Sequence, residues 1–140
     1  MLDRVALIAA IALVLIGAVL LIRSWNGRRV RTLQFNVPNW SALGEQPDGR
    51  RTVIAFSTPS CAACRQAQSP AIDLAQRQLG EDMVRVIAVN LASDSRAASA
   101  FGILTVPATV VVAAGGQRIV AVNQGFAPSA QLVRQLQSAA

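Results

Sequence analysis

The chain has two cysteines, Cys61 and Cys64, and they lie three positions apart. Residues 52–57 before them form an apolar run rich in β-branched side chains, which is typical of a buried strand. A cluster of turn-forming residues follows at 57–60, and a helix-compatible run begins at Cys61. The sequence therefore places both cysteines where a strand passes into the first turn of a helix.

This placement favours redox chemistry. The first turn of a helix has unpaired backbone N–H groups and a partial positive charge, and both stabilise a thiolate. We therefore expect a lowered pKa for Cys61, which makes it the candidate nucleophile. Cys64, one turn later, is the candidate resolving thiol, because it is close enough to form a disulfide with Cys61 and release a bound substrate.

Other roles for the pair remain open. Zinc takes four ligands, and the chain has neither a histidine nor a third cysteine, so a zinc site would need two chains. A copper(I) carrier could use the two thiolates alone, and metal retention after reducing purification would identify one. A non-catalytic interaction domain is the third alternative, although an intact cysteine pair counts against it. The sequence assigns no metal ligand.

Composition limits the partners. The 140 residues are enough for one domain with a core. The net charge of +6 comes mainly from arginines at 23–31, because the chain from Thr32 onward has eight arginines and six acidic residues. This distribution does not predict a nucleic-acid partner. No nucleotide, haem or flavin motif is present, so no cofactor is expected.

Residues 5–22 contain no charge and would span ~27 Å as a helix, close to the ~30 Å hydrocarbon core of a bilayer. A cleaved signal peptide is the competing interpretation, but the apolar segment runs directly into Arg23 without the small residues of a cleavage site. Trp25 suits the membrane interface. The predicted organisation is an N-terminal flank (1–4), a transmembrane anchor (5–22), a basic tether (23–31) and a redox domain (32–140).

Flanking charge bears on orientation. Arg4 and the terminal amine precede the apolar segment, and four arginines follow it within residues 23–31. The positive-inside rule then places the domain on the cytoplasmic side. Because membrane-tethered redox domains often work outside the membrane, the cytoplasmic side is favoured by a small margin only.

The predicted elements alternate. A short leading strand at 32–37, with Leu33, Phe35 and Val37 on one face, precedes the order β, α, β, α, β, β, α. The sequence predicts a helix from Cys61 to Leu79 that is kinked at Pro70, and a strand at 83–90 in a central position of the sheet. A helix at 94–101 is predicted to be capped by Ser93, and a strand at 108–113 to return as a hairpin through Gly115-Gly116. Trp40 is predicted to lie in the core, and Pro128 to begin the last helix. This order predicts a parallel core and an antiparallel edge.

From about residue 33 to the end, the chain resembles a thioredoxin-like domain. Four features carry the resemblance: Cys61-Ala62-Ala63-Cys64 after a strand, Pro70 near the family's helix-kinking proline, Val106-Pro107 where the family has a cis-proline, and Gly125 before the last helix. The resemblance implies an α/β fold with a central mixed sheet flanked by helices, here after one transmembrane helix. It also implies that Val106 and Pro107 lie beside Cys61, where the Val106 backbone could pair with an extended substrate segment.

The chain departs from the family in three places. The usual Trp-Cys-Gly-Pro-Cys is Ser60-Cys61-Ala62-Ala63-Cys64, which leaves the reduction potential open. Ala55 stands where thioredoxin has a buried aspartate, and Pro70 is six residues after the second cysteine rather than five. Together these observations predict a membrane-anchored thiol–disulfide oxidoreductase that acts on protein disulfides, preferentially as a reductase, with an unidentified electron donor.

Overall fold

A computed structural model describes residues 2–34 and 37–140 of the chain. The chain divides into two compact units, Met1–Thr32 and Leu33–Ala140. The elements are α1 (Leu2–Gln34), α2 (Trp40–Leu43), β1 (Arg51–Ser57), a π turn (Cys64–Gln68), α3 (Ser69–Leu79), β2 (Val84–Asn90), α4 (Ser95–Ala100), β3 (Ala108–Val112), β4 (Ile119–Gln124) and α5 (Ser129–Gln137). Apart from the leading strand, their order is the one that the sequence predicts.

The first unit is built on α1. Its segment Asp3–Trp25 is long and apolar enough to cross a membrane, and none of its apolar window is buried, although a signal sequence has the same properties. The helix continues through the arginine-rich stretch to Gln34. The predicted leading strand is therefore wrong for residues 32–34, and Phe35 and Asn36 lie outside the described residues.

The second unit is organised around a four-stranded mixed sheet with the order β2-β1-β3-β4. β1 pairs with β2 in parallel, and β3 is antiparallel to both β1 and β4. The parallel β1–β2 pair and the antiparallel hairpin agree with the prediction, but the predicted parallel core is wrong at the centre of the sheet, where β1 and β3 are antiparallel. The predicted central position of the 83–90 strand is wrong, because β2 is an edge strand among the described strands.

Both faces of the sheet are covered by helices. The face under α3 and α5 packs Val53 and Val111 against Leu132 and Leu136. The other face packs Ile54, Phe56 and Val110 against α4 and its following residue Phe101, with α2 at the margin. Burying each of these large apolar side chains contributes about 1.5–3 kcal/mol, so the two layers hold the sheet rigidly. The predicted inward residues of α5, which are Leu132, Val133 and Leu136, are buried.

Two local features refine the sequence-based expectations. Trp40 packs against the α4-side layer, as predicted, and its indole N–H donates to the Gly116 carbonyl at 2.8 Å. Gly116 has a φ of 72°, and a Cβ there would lie 2.9 Å from the Trp40 ring, so both conformation and space require glycine. The predicted N-cap of α4, Ser93, is wrong: Asp94 is the N-cap, and its carboxylate accepts the Ala97 N–H at 3.1 Å.

Candidate active site

Cys61 lies immediately before the first helical residue after β1. A turn at residues 58–60 connects β1 to the helix, and within it the Cys61 N–H donates to the Thr58 carbonyl at 3.1 Å. Ala62 and Ala63 are helical, and the Arg65 N–H reaches the Cys61 carbonyl at 3.4 Å. The Arg65 guanidinium binds the Pro59 carbonyl, which joins the start of the helix to the turn.

The two cysteines form a disulfide, with their Cα atoms 5.3 Å apart. They differ in access and in hydrogen bonding. Cys61 is partly exposed, whereas Cys64 is 4% exposed. The Cys64 backbone N–H points at the Cys61 Sγ, 3.1 Å away. An N–H donor at a helix N-terminus stabilises negative charge on the sulfur it faces, so the surroundings favour a thiolate on Cys61.

The helix that begins at Ala62 continues as a π turn, Cys64–Gln68, in which the Ser69 N–H donates to the Cys64 carbonyl. A π turn holds one more residue than an α turn. This accounts for the unusual spacing of Pro70, because the additional residue between Cys64 and Pro70 is taken up by the wider turn. Pro70 lies at the start of α3, directly after the π turn, and has no backbone N–H to donate to the preceding turn.

Strand register brings the other predicted site residues to the same end of the sheet. Phe56 of β1 pairs with Ala108 of β3, and Ala108 pairs with Gln124 of β4. The turn to Cys61, the Val106–Pro107 peptide and Gly125 therefore all lie at this end. The Val106–Pro107 bond is cis, Pro107 is buried, and Val106 is partly exposed. The Gly125 N–H donates to the Pro107 carbonyl at 2.9 Å.

Two glutamines at this end of the sheet were missed in the sequence. Gln124 bonds to Gly102 and Leu104: its Nε2 donates to the Gly102 carbonyl at 2.8 Å, and its Oε1 accepts the Leu104 N–H at 3.3 Å. Gln68, 3% exposed, bonds to both backbone groups of Ala127. Gln68 is buried and Gln124 is exposed, and an uncharged amide side chain carries no sequence pattern that predicts either set of hydrogen bonds.

Ala55, at the position of the family's buried aspartate, packs on the α3–α5 side of the sheet and pairs with Thr109 of the neighbouring strand β3. Thr109 is fully buried, and its hydroxyl accepts the Asn123 amide at 2.9 Å. Asn123 also bonds to Gln131 and Gln135 of α5. This cluster is uncharged. Within the described ranges, no group of three or more His, Cys, Asp or Glu residues is placed to hold a metal ion.

A mixed sheet between helices, with a cysteine pair at the start of a helix and a cis-proline at the same end of the sheet, defines a thiol–disulfide oxidoreductase of the thioredoxin fold. The thioredoxin family model matches residues 32–138, and the chain belongs to that family. No curated protein sequence is significantly similar to the chain.

Several solved structures share the fold. Thioredoxin-2 of the malaria parasite, a component of that parasite's protein secretion machinery, is 20% identical, with a TM-score of 0.60 over 74% of this chain and 93% of its own. Fasciola hepatica thioredoxin is 21% identical, with a TM-score of 0.54 over 66% of this chain and 83% of its own. MTB dsbF, solved in mixed oxidized and reduced forms, is 18% identical, with a TM-score of 0.54 over 66% and 82%. These similarities concern the fold alone.

Proposed function

We propose that the protein is a membrane-tethered reductase of protein disulfides, with Cys61 as the nucleophile and Cys64 as the resolving thiol. The observation that carries this assignment is the asymmetry of the pair. Cys61 is partly exposed and its sulfur accepts the Cys64 N–H, whereas Cys64 is buried. A substrate disulfide can therefore reach Cys61 but not Cys64.

The reaction has two exchanges. The Cys61 thiolate attacks one sulfur of the substrate disulfide, forms a mixed disulfide and releases the other substrate sulfur as a thiolate. The Cys64 thiolate then attacks the Cys61 sulfur, which closes the Cys61–Cys64 disulfide and releases the second substrate thiolate. Two electrons pass to the substrate, and an upstream dithiol donor must return two to the protein.

The cis-proline loop supports a protein substrate. Val106 is partly exposed beside the buried Pro107, and we assign its backbone to pairing with an extended substrate segment. Two large apolar residues near this loop are exposed to solvent: Leu104 is 79% exposed and Phe126 is 53% exposed. The Gln124 bonds and the Gly125–Pro107 bond hold their two loops together. Exposed apolar side chains at the same end of the sheet as Cys61 suit a substrate with an apolar segment next to its target cysteine.

The tether limits where the substrate lies. We assign residues 5–22 to a single-pass anchor, 23–31 to a basic tether and 32–140 to the redox domain. The arginines after the apolar segment favour the cytoplasmic side. That compartment keeps thiols reduced, which agrees with a reductase. Confinement to one surface raises the effective concentration of the domain for membrane-associated partners.

Trapping tests this proposal. The Cys64→Ala variant, expressed at native levels and quenched in acid, should accumulate mixed disulfides on Cys61, because the resolving step is missing. Non-reducing electrophoresis and mass spectrometry would detect the adducts and identify the partners. The control is the Cys61→Ala/Cys64→Ala double variant, which should carry none. Disulfide turnover that survives in the Cys61→Ser variant would rule out the assignment, as would a clean absence of adducts in well-expressed Cys64→Ala.

A further inference from the structure

Gln68 makes an unusual connection at the end of the π turn. Its side chain is 3% exposed, its Nε2 donates to the Ala127 carbonyl at 3.1 Å, and its Oε1 accepts the Ala127 N–H at 2.9 Å. The pair of bonds joins the helix that carries Cys64 to a loop 59 residues later in the chain. A buried amide with both polar groups satisfied fixes two segments in one relative position, because breaking either bond leaves a polar group unpaired.

The loop that Gln68 holds belongs to the proposed substrate surface. Gly125 donates to the Pro107 carbonyl at 2.9 Å, Phe126 is the exposed apolar residue, and Ala127 is fully buried. Phe126 is therefore fixed on one side through Gly125 to the cis-proline loop and on the other through Ala127 and Gln68 to the redox helix. This short path connects the disulfide to the surface where a protein substrate would lie.

Helix periodicity accounts for the burial of Gln68. Gln68 is four residues after Cys64, so the two side chains lie on the same face of the helix, and both are buried. The amide that binds Ala127 is therefore on the helix face that also carries Cys64.

We infer that Gln68 is a positioning residue that sets the Phe126 loop relative to Cys61, and that it acts on protein substrates and not on small disulfides. The inference rests on the proposed function. A small disulfide needs only the exposed sulfur of Cys61. A protein segment must contact the loop and the sulfur at once, and a displacement of about 1 Å between two such groups can cost up to 10²-fold in rate.

The test compares Gln68→Met with Gln76→Met in the full chain. Both remove an amide from the same continuous helix, and Gln76 donates to the Val84 carbonyl of β2 at 2.9 Å, so it serves as the matched control. Each variant would be assayed with insulin, using dithiothreitol as donor, and with a small aromatic disulfide. We expect Gln68→Met to lower kcat/KM for insulin about tenfold and the small-disulfide rate less than about twofold, since the two lost bonds orient only the loop. Gln76→Met should lower the insulin rate less than about twofold.

Three results would overturn the inference: an equal loss with both substrates, an equal loss in Gln76→Met, or no loss with insulin. If Gln68→Met does not fold, as judged by circular dichroism, Gln68→Asn replaces it. That variant keeps an uncharged amide but is one methylene shorter, so it cannot make both Ala127 bonds in the same geometry, and the same preferential loss with insulin is expected. A wild-type protein that fails to reduce insulin would remove the proposed function itself. Wild-type activity with an unchanged Gln68→Met would remove the inference alone.

Discussion

At the scale of single residues, the groups described beside the Cys61 sulfur and at the position of the family's aspartate are uncharged. The Cys61 sulfur faces a backbone N–H, and the position of the family's aspartate is Ala55 beside the buried Thr109. A carboxylate on this face would have to be desolvated against an apolar layer, which is costly without a partner. With alanine there, the proposed mechanism requires the proton of Cys64 to pass to water or to the departing substrate thiolate.

Charge matters instead at the far end of the domain, at Asp48. The hydrogen bonds from the Arg50 side chain lower the pKa of Asp48 from 3.8. Desolvation opposes this lowering, and the Arg50 backbone N–H and the charges of Arg50 and Arg85 add to it. Arg50 donates to Asp48 Oδ2 through Nε at 2.9 Å, and the Arg85 Nε lies 3.7 Å from the same oxygen. Asp48 is exposed, so we expect a small contribution to stability.

The sign of the pH effect follows from the lowered pKa. The ionised carboxylate binds its arginines only in the folded state, so its stabilisation is present above pH 3.8 and is lost as the pH falls through the folded-state pKa. Asp48→Asn should therefore unfold more easily than wild type at pH 7 in urea titrations, and the two curves should converge below pH 3.8. The control is Asp73→Asn, because Asp73 is an exposed residue of α3. A difference that persists unchanged into acid would contradict this account.

At the scale of elements, the sequence predicted most of the fold because turns and apolar periodicity are local signals. The strand before Cys61 and the Gly115-Gly116 hairpin belong to this group. The position of β2 in the sheet could not be predicted from its own residues. Val and Ile on both of its faces indicate that helices cover both faces of the strand, but they do not indicate which strands lie beside it. The π turn left a trace, the late Pro70, but spacing alone does not say how a helix accommodates one additional residue.

The cap of α4 gives a direct test at this scale. Ser93 and Asp94 are both good caps by residue type, but it is the Asp94 carboxylate that accepts the Ala97 N–H, while the Ser93 hydroxyl donates to the Asn90 carbonyl at 3.2 Å. Asp94→Ala should lower the free energy of unfolding by about 1 kcal/mol, because an N–H at the start of α4 loses its partner. Urea titration measures the change. Ser93→Ala is the comparison, and an equal or larger loss there would show that Ser93 is the cap.

At the scale of the whole molecule, the chain combines a redox domain with a separate apolar helix. The contacts described around Cys61 and Cys64 come from residues 57–127 of the second unit. In the proposed function, the apolar helix contributes location. The side of the membrane would then decide which disulfides the domain meets and which donor can return its electrons.

The arginines at 23–31 should determine that side. In sealed vesicles, a C-terminal tag on the wild-type chain should be protected from protease in right-side-out preparations and cleaved in inverted ones, because positive charge is retained on the cytoplasmic side. Replacing Arg23, Arg28, Arg29 and Arg31 with glutamine leaves Arg4 and the terminal amine as the dominant charge, and this should reverse the pattern. The control replaces four exposed arginines of the domain, Arg77, Arg96, Arg118 and Arg134, with glutamine. These lie too far from the apolar segment to orient it, so protection should stay as in wild type. A wild-type tag that is cleaved in right-side-out vesicles would instead place the domain outside the cytoplasm, and the substrates trapped on Cys61 should then be extracytoplasmic proteins.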